Sequence, residues 1–237
     1  MKPRFISDLH LSENNPKRVE AFLKFLHESK QVCTHFYILG DLFEAWIGDD
    51  DDSLLSNKVK KALYEFTNDG PKTFFIHGNR DFLIGNSFAE DTGITILPDP
   101  YVLDINNQNV VISHGDFLCT DDKDYISFRN EVRSEEWQSN FLNKSLIERK
   151  EIASSMRDAS QEATSEKSNA ITDVSSLAVQ DFVNEHTPDL LIHGHTHRPN
   201  IHKVSDSIRI VLGDWGDYGW FLSINDKDYK LEKFSIS

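Results

Sequence analysis

A chain of 237 residues suits one well-filled core with room for an inserted subdomain. Its 25 Lys and Arg against 39 Asp and Glu leave a net charge of −14, which repels polyanions and disfavours nucleic-acid binding without a local basic groove. Cys33 and Cys119 lie too far apart for a disulfide framework or a zinc knuckle and read as free thiols of a reducing cytoplasm, and no apolar stretch approaches the roughly 20 residues that span a bilayer.

The first apolar run, Phe5-Ile6-Ser7, closes on Asp8 and His10 and reads as a buried strand, leaving no room for a signal peptide before it. Asn15-Pro16 opens a helix with Val19, Phe22, Leu23 and Leu26 on one face. Phe36-Tyr37-Ile38-Leu39-Gly40 leads to Asp41. The acidic run 49–52 that follows reads as a solvated loop. A second helix carries Leu54, Val59, Leu63 and Phe66 and is stopped by Asp69-Gly70-Pro71. Phe74-Phe75-Ile76-His77-Gly78 leads to Asn79, and Val110-Val111-Ile112-Ser113 to His114, with turn signals at Asp91-Thr92-Gly93 and Asn106-Asn107 between them.

From 121 to 183 the strand pattern stops. Gly and Pro are absent, and Trp137, Phe141, Leu142, Leu146, Ala153 and Met156 recur near three- and four-residue spacing. This predicts a helical insertion at 121–183, a lid above the site, within a core formed by 1–120 and 184–237. Leu190-Leu191-Ile192-His193-Gly194 then leads to His195 and His197, and short strands follow at 201–204, 208–212, 219–224 and 229–234. The alternation of strand and helix in the first half argues for an α/β layered core.

Five runs therefore each deliver metal-binding side chains to a strand end, where open α/β sheets collect their ligands. Imidazoles and carboxylates without thiolate suit Mn, Fe or Zn. Two divalent cations roughly 3.5–4 Å apart repel one another, so a shared anion must sit between them.

The whole set is Asp8-x-His10, Gly40-Asp41, Gly78-Asn79-Arg80-Asp81, Ser113-His114 and Gly194-His195-Thr196-His197. In order and placement it resembles the calcineurin-like metallophosphoesterase superfamily. The resemblance implies an α/β fold, a layered αββα sandwich with an inserted helical lid, and two metal ions. It assigns Asp8, His10 and His197 to one ion and Asn79, His114 and His195 to the other, with Asp41 between. Many members carry Gly-Asn-His at the third motif, where this chain has Arg80. Arginine is a poor proton donor and a good phosphate clamp, which favours a leaving group that needs little acid help, as in a pyrophosphate.

Three longer stretches, Gly78 through Phe82, Leu42 through Asp50 and Gly194 through Pro199, are similar to the UDP-2,3-diacylglucosamine pyrophosphatase family of bacterial lipid A synthesis, as is the insert from Met156 through Ser160 and Lys167 to Val174. This resemblance implies Mn²⁺ (two ions per chain) and water attack on the α-phosphorus of a nucleotide-activated glycolipid. The products would be UMP and 2,3-diacylglucosamine 1-phosphate (lipid X). It implies peripheral attachment to the cytoplasmic face of the inner membrane; no nucleic-acid or protein partner is expected. Asn79, Arg80, Asp122, Ser160, Thr164, Lys167 and His195 would contact substrate, although Asn is more usual than Thr at 164. Trp46, Phe82, Phe128, Phe141, Leu142 and Met156 are candidate walls of an acyl chamber. Lys144, Arg149, Lys150 and Arg157 form either an ordinary charged helix face or a contact for anionic headgroups. Asp81 reads as an orienting neighbour, and His77 and His193 as structural or as supports behind the ligands. The alternative is another metallophosphoesterase, a phosphodiesterase or phosphatase of different substrate.

Overall fold

Strand β1 (Pro3–Ile6) runs parallel to β2 (His35–Ile38), which is followed in the same sense by β3 (Lys72–Ile76) and β4 (Thr95–Leu97). These belong to a computed structural model that describes residues 1–166 and 171–236, apart from the side chains of Gln161 and of residues 163–166. Two antiparallel strands, β10 (Tyr218–Asn225) and β11 (Asp228–Ser235), extend the sheet beyond β1, so its order is β11-β10-β1-β2-β3-β4. A second sheet holds β5 (Tyr101–Ile105), β6 (Gln108–Ser113), β7 (Leu190–His193), β8 (Asn200–Val204) and β9 (Ser207–Val211) in the order β5-β6-β7-β9-β8. Its three central strands are again parallel.

The near-continuous apolar runs of the parallel strands are explained by burial on both faces. Between the sheets, Phe5, Tyr37, Ile76, Ile112, Ile192 and Leu222 form one core. On the outer face of the first sheet, Ile6, Phe36, Ile38 and Phe75 meet α1 (Pro16–Ser29), α2 (Leu54–Thr67) and α3 (Asn86–Thr92). On the outer face of the second, Val111 and Leu191 meet Val179, Phe182 and Val183 of α7 (Ser176–His186). The layers are thus helix, sheet, sheet, helix, as expected.

Three helices, α4 (Lys123–Val132), α5 (Glu135–Leu142) and α6 (Leu146–Glu166), intervene between β6 and α7. Because α7 packs on the second sheet, the core layers resume by Ser176, earlier than the expected boundary at 184. Single positions also differ from expectation. In α1, Phe25 is buried and Leu23 only partly so, since Phe25 stacks on Phe234 and meets Trp215 edge-on, both from the far end of the chain. Leu54 is 86% exposed: as the first residue of α2, its side chain lies back beyond the sheet. Leu142, the last residue of α5, is likewise exposed. Cys33 and Cys119 are buried free thiols.

The acidic run 49–52 is not simply solvated. The Asp49 carboxylate accepts N–H bonds from Gly85 and Phe88 at the start of α3 and from the Trp46 indole. Asp50 is clasped by both terminal nitrogens of Arg149, whose Nη1 also donates to the Ile47 carbonyl at 2.6 Å. Arg149 is therefore 2% exposed, turned toward the core instead of outward to headgroups.

Candidate metal centre and adjoining cavity

Loops leaving the carboxyl ends of five parallel strands meet where the two sheets abut, and main-chain bonds tie them together. Asp8 N–H donates to Gly40 O at 3.1 Å and His10 N–H to Asp41 O at 2.9 Å, while Gly194 N–H donates to His114 O at 3.0 Å. The Asp8 carboxylate links the two sheets by accepting the His195 N–H at 2.9 Å. Asp81 acts from behind: it accepts the N–H groups of Leu42 at 2.7 Å, Gly78 at 3.0 Å and Asp41 at 3.1 Å, and so orients the second and third loops.

These turns are sharp. Asp8, His10, Asp41, His195 and His197 have φ of 56, 49, 54, 67 and 56°, a left-handed conformation that Asp and His adopt more readily than most residues. Each costs on the order of 1–2 kcal/mol and persists because the surrounding bonds hold it. Gly78 and Gly194 have a different reason to be glycine: a Cβ would strike the Asp41 carboxylate at the first and the Asp8 carboxylate at the second.

The side chains converge as two groups. In one, His10 Nε2 lies 3.1 Å from His197 Nε2, and His197 Nε2 lies 3.5 Å from Asp8 Oδ1. In the other, Asn79 Oδ1 lies 2.9 Å from His114 Nε2 and 3.0 Å from His195 Nδ1. Asp41 stands between, with Oδ2 at 3.9 Å from His10 Nε2 and Oδ1 at 3.8 Å from His114 Nε2. All seven residues predicted as metal ligands are therefore brought together.

Their electrostatics suit cations. Burial pushes His10 down to about 3 and His195 down to about 3, so both imidazoles are neutral with a lone pair to offer. Burial opposes ionisation of Asp8, yet the hydrogen bond and charge of His197, with the charge of His114, hold it well below the usual carboxylate range. Burial pushes Asp41 up to about 7, against the pull of His114 and with the charges of Asp81 and Asp8 adding to it. The His114 Nδ1 lies 2.8 Å from the Leu39 carbonyl and donates to it, which leaves Nε2 free to coordinate. Against burial, the charges of Asp41 and Asp8 push His114 up to about 9, and the hydrogen bond and charge of Asp8 push His197 up, so these two imidazoles hold protons that divalent cations would replace. His10, His195, the two buried carboxylates and one amide oxygen offer donors to the same cations.

Asn79 also lines a cavity of about 360 Å³ under α4–α6, together with Arg80, Asp122 and Ser160 at its polar side and Trp46, Phe82, Phe128, Phe141 and Met156 along its apolar wall. Leu142, predicted as a wall, is not among the lining residues. The side chain of Thr164 and all of Lys167 lie outside the described residues. Of the predicted basic helix face, Arg149 turns inward onto Asp50 and Arg157 pairs with Glu44 at 3.3 Å, whereas Lys144 and Lys150 are exposed.

Asp116 escaped the sequence reading. Fully buried, it accepts Arg129 Nε at 2.7 Å, the Tyr125 hydroxyl at 2.9 Å and Arg133 Nη2 at 3.3 Å, fastening α4 beside the metal ligands. Arg133 also donates to the Gly78 carbonyl, and the Tyr125 ring lies 5.6 Å from that of His195. Its place two residues after His114 was the available signal.

His193, structural as predicted, makes a pH test. It is fully buried, and burial pushes it down to about 4. With a folded value below the ordinary 6.5, the neutral form is favoured, so its stabilising effect is complete above pH 6.5 and is lost as pH falls toward 4. The full loss is on the order of 3 kcal/mol. In urea unfolding of metal-free protein at pH 7.5 and 5, His193→Asn is expected to flatten the acid-side slope by nearly one proton. An unchanged slope would refute this origin of acid sensitivity.

The calcineurin-like phosphoesterase family profile matches residues 1–199. A UDP-2,3-diacylglucosamine hydrolase of Aromatoleum aromaticum is 47% identical over 221 residues, covering 92% of this chain and 90% of that protein. Proteins of the same description from Tolumonas auensis and Escherichia coli are each 44% identical, covering 98% and 99% of this chain and 96% and 99% of their own lengths. Among solved structures, an archaeal phosphodiesterase matches 99% of this chain and 100% of its own with a TM-score of 0.52 at 14% identity, a likeness of fold alone. With family profile, curated relatives and fold in agreement, the chain belongs to the calcineurin-like phosphoesterases and, within them, to the UDP-2,3-diacylglucosamine hydrolase family.

Proposed function

We propose that this protein hydrolyses the pyrophosphate of UDP-2,3-diacylglucosamine by water attack on the α-phosphorus, giving UMP and 2,3-diacylglucosamine 1-phosphate. The observation that carries the reading is the place of Asn79, which touches His114 and His195 on one side and lines the cavity on the other. A scissile phosphate bound there would have metal ligands behind it and an apolar chamber beyond it.

In this reading Asp8, His10 and His197 would hold one Mn²⁺ ion and Asn79, His114 and His195 a second, with Asp41 common to both. The bound ions would supply a water of lowered pKa and polarise the phosphoryl oxygen. Arg80 lines the cavity, and its main-chain N–H donates to Asp41 Oδ1 at 2.9 Å, so the same residue braces the shared carboxylate and clamps phosphate oxygens with a permanent charge. Asp122 and Ser160 contact the substrate from the lid, and Thr164, Lys167 and His195 complete its contacts. The aromatic wall takes the acyl portion, each buried methylene contributing about 0.8 kcal/mol.

Attachment to the cytoplasmic face of the inner membrane belongs to the same reading, because a diacylated substrate resides in a bilayer. No helix among the described residues is long and apolar enough to cross a membrane, and exposed Leu142 and Ile147 beside exposed Lys144 and Lys150 suit a surface contact.

Hydrolysis of UDP-2,3-diacylglucosamine in ¹⁸O-enriched water, with and without Mn²⁺, tests the proposal. Metal-dependent release of UMP carrying the label is expected. Label on the lipid phosphate would move the attack to the other phosphorus. An untouched substrate alongside cleavage of a simple phosphodiester would favour a different metallophosphoesterase.

A further inference from the structure

We propose that Glu44 is a positioning residue that joins the metal ligand His10 to the helical lid through Arg157. The inference rests on the reading of His10 as a ligand. With His10 Nε2 directed at His197 Nε2 and Asp41 Oδ2, coordination would occur through Nε2 and leave the proton of the neutral ring on Nδ1. That nitrogen is buried and has no hydrogen-bond partner among the described residues, and Glu44 Oε2 faces it at 3.9 Å. A shift of about 1 Å brings the pair into hydrogen-bond range. Histidine ligands almost always donate their other N–H to a carboxylate, a carbonyl or water, which sets the ring plane and raises its basicity.

The backbone holds Glu44 for this task. Its N–H donates to Leu11 O at 3.0 Å, and Leu11 N–H donates to Leu42 O at 2.9 Å, so the loops carrying His10 and Glu44 are laced together. From the other side Arg18 Nη1 donates to the His10 carbonyl at 3.2 Å and fixes the main chain of the ligand. The second oxygen of Glu44, Oε1, forms an ion pair with Arg157 Nε at 3.3 Å. Arg157 stands on α6 and lines the cavity. One carboxylate therefore has an oxygen on the ligand imidazole and an oxygen on the lid. Displacement of α6 would withdraw Arg157 and free Glu44 to turn away from His10, so lid position would set metal affinity.

The test titrates metal-stripped protein with Mn²⁺, following free Mn²⁺ by electron paramagnetic resonance, without substrate. Glu44→Ala is expected to weaken one of the two sites by about 10–100-fold and to spare the other. Glu44→Gln keeps an acceptor oxygen and should recover part of that affinity. Arg157→Ala, which touches no ligand, should weaken the same site several-fold, an effect a merely structural lid residue would not produce. Thermal unfolding of each metal-free variant establishes that it is folded, and Glu44→Gln serves if Glu44→Ala is not. Absence of Mn²⁺ binding by the unaltered protein would overturn the metal reading itself. Two sites in the unaltered protein with unchanged affinity in folded Glu44 or Arg157 variants would overturn only the coupling.

Discussion

Asp41→Ala is expected to lower kcat by at least about 1000-fold in Mn²⁺-supplied enzyme. Metal assistance stabilises a transition state by several kcal/mol, and each 1.4 kcal/mol is tenfold in rate. Among the described residues Asp41 is the one carboxylate within 4 Å of an imidazole in each candidate ligand group, so its loss leaves the two groups with no shared anion. A folding defect would mimic this result, and the electrostatics separate the two. Because burial raises the Asp41 carboxyl to about 7, its ionised form weighs against the folded state, with a penalty that grows as pH rises from about 4 through 7. Metal-free Asp41→Asn should therefore unfold no more easily than the unaltered protein at pH 8, while turnover in the same preparation is lost. Turnover within tenfold of the unaltered enzyme would remove Asp41 from the centre.

Asp116→Ala carries the largest expected cost in stability, about 3–5 kcal/mol, since removing one member of a buried ion pair strands its partners. Here two arginines and a tyrosine hydroxyl lose one shared acceptor, and Arg133 is also the group that donates to the Gly78 carbonyl beside Asn79. Chemical denaturation should show the loss as a lower midpoint. Hydrogen exchange should show α4 protected less than the sheets, because Asp116 fastens that helix to the core. Asp116→Asn retains an acceptor for one arginine and should cost less. A loss below about 1 kcal/mol in the alanine variant would mean that water substitutes for the carboxylate.

The ligand set was legible because its signal is local. A short apolar run closed by Asp, Asn or His is complete within a few residues, and β1, β2, β3, β6 and β7 each overlap one such run. The layered fold was legible for the same reason, as continuous apolarity marks strands covered on both faces. The partners of charged residues were not legible. Arg149 and Asp50 are 99 positions apart, and each taken alone resembles a solvated side chain. Asp116, Arg129 and Arg133 are closer in sequence, but only the approach of α4 and its end to the turn after β6 brings the three charges together on one buried carboxylate.

Residue order by itself determined which side chains reach the sheet edges, which segment is helical and which chemistry the third motif favours through Arg80, because these follow from periodicity and side-chain identity. Tertiary structure alone decided the left-handed backbone at five candidate ligands, the inward turn of Arg149, the pairing of Arg157 with Glu44, the exposure of Leu54 and Leu142, and the approach of Glu44 to His10. The physical reason is the same throughout. A strained φ persists only where distant loops hold it, and a charge is buried only where a partner from elsewhere in the chain arrives to meet it.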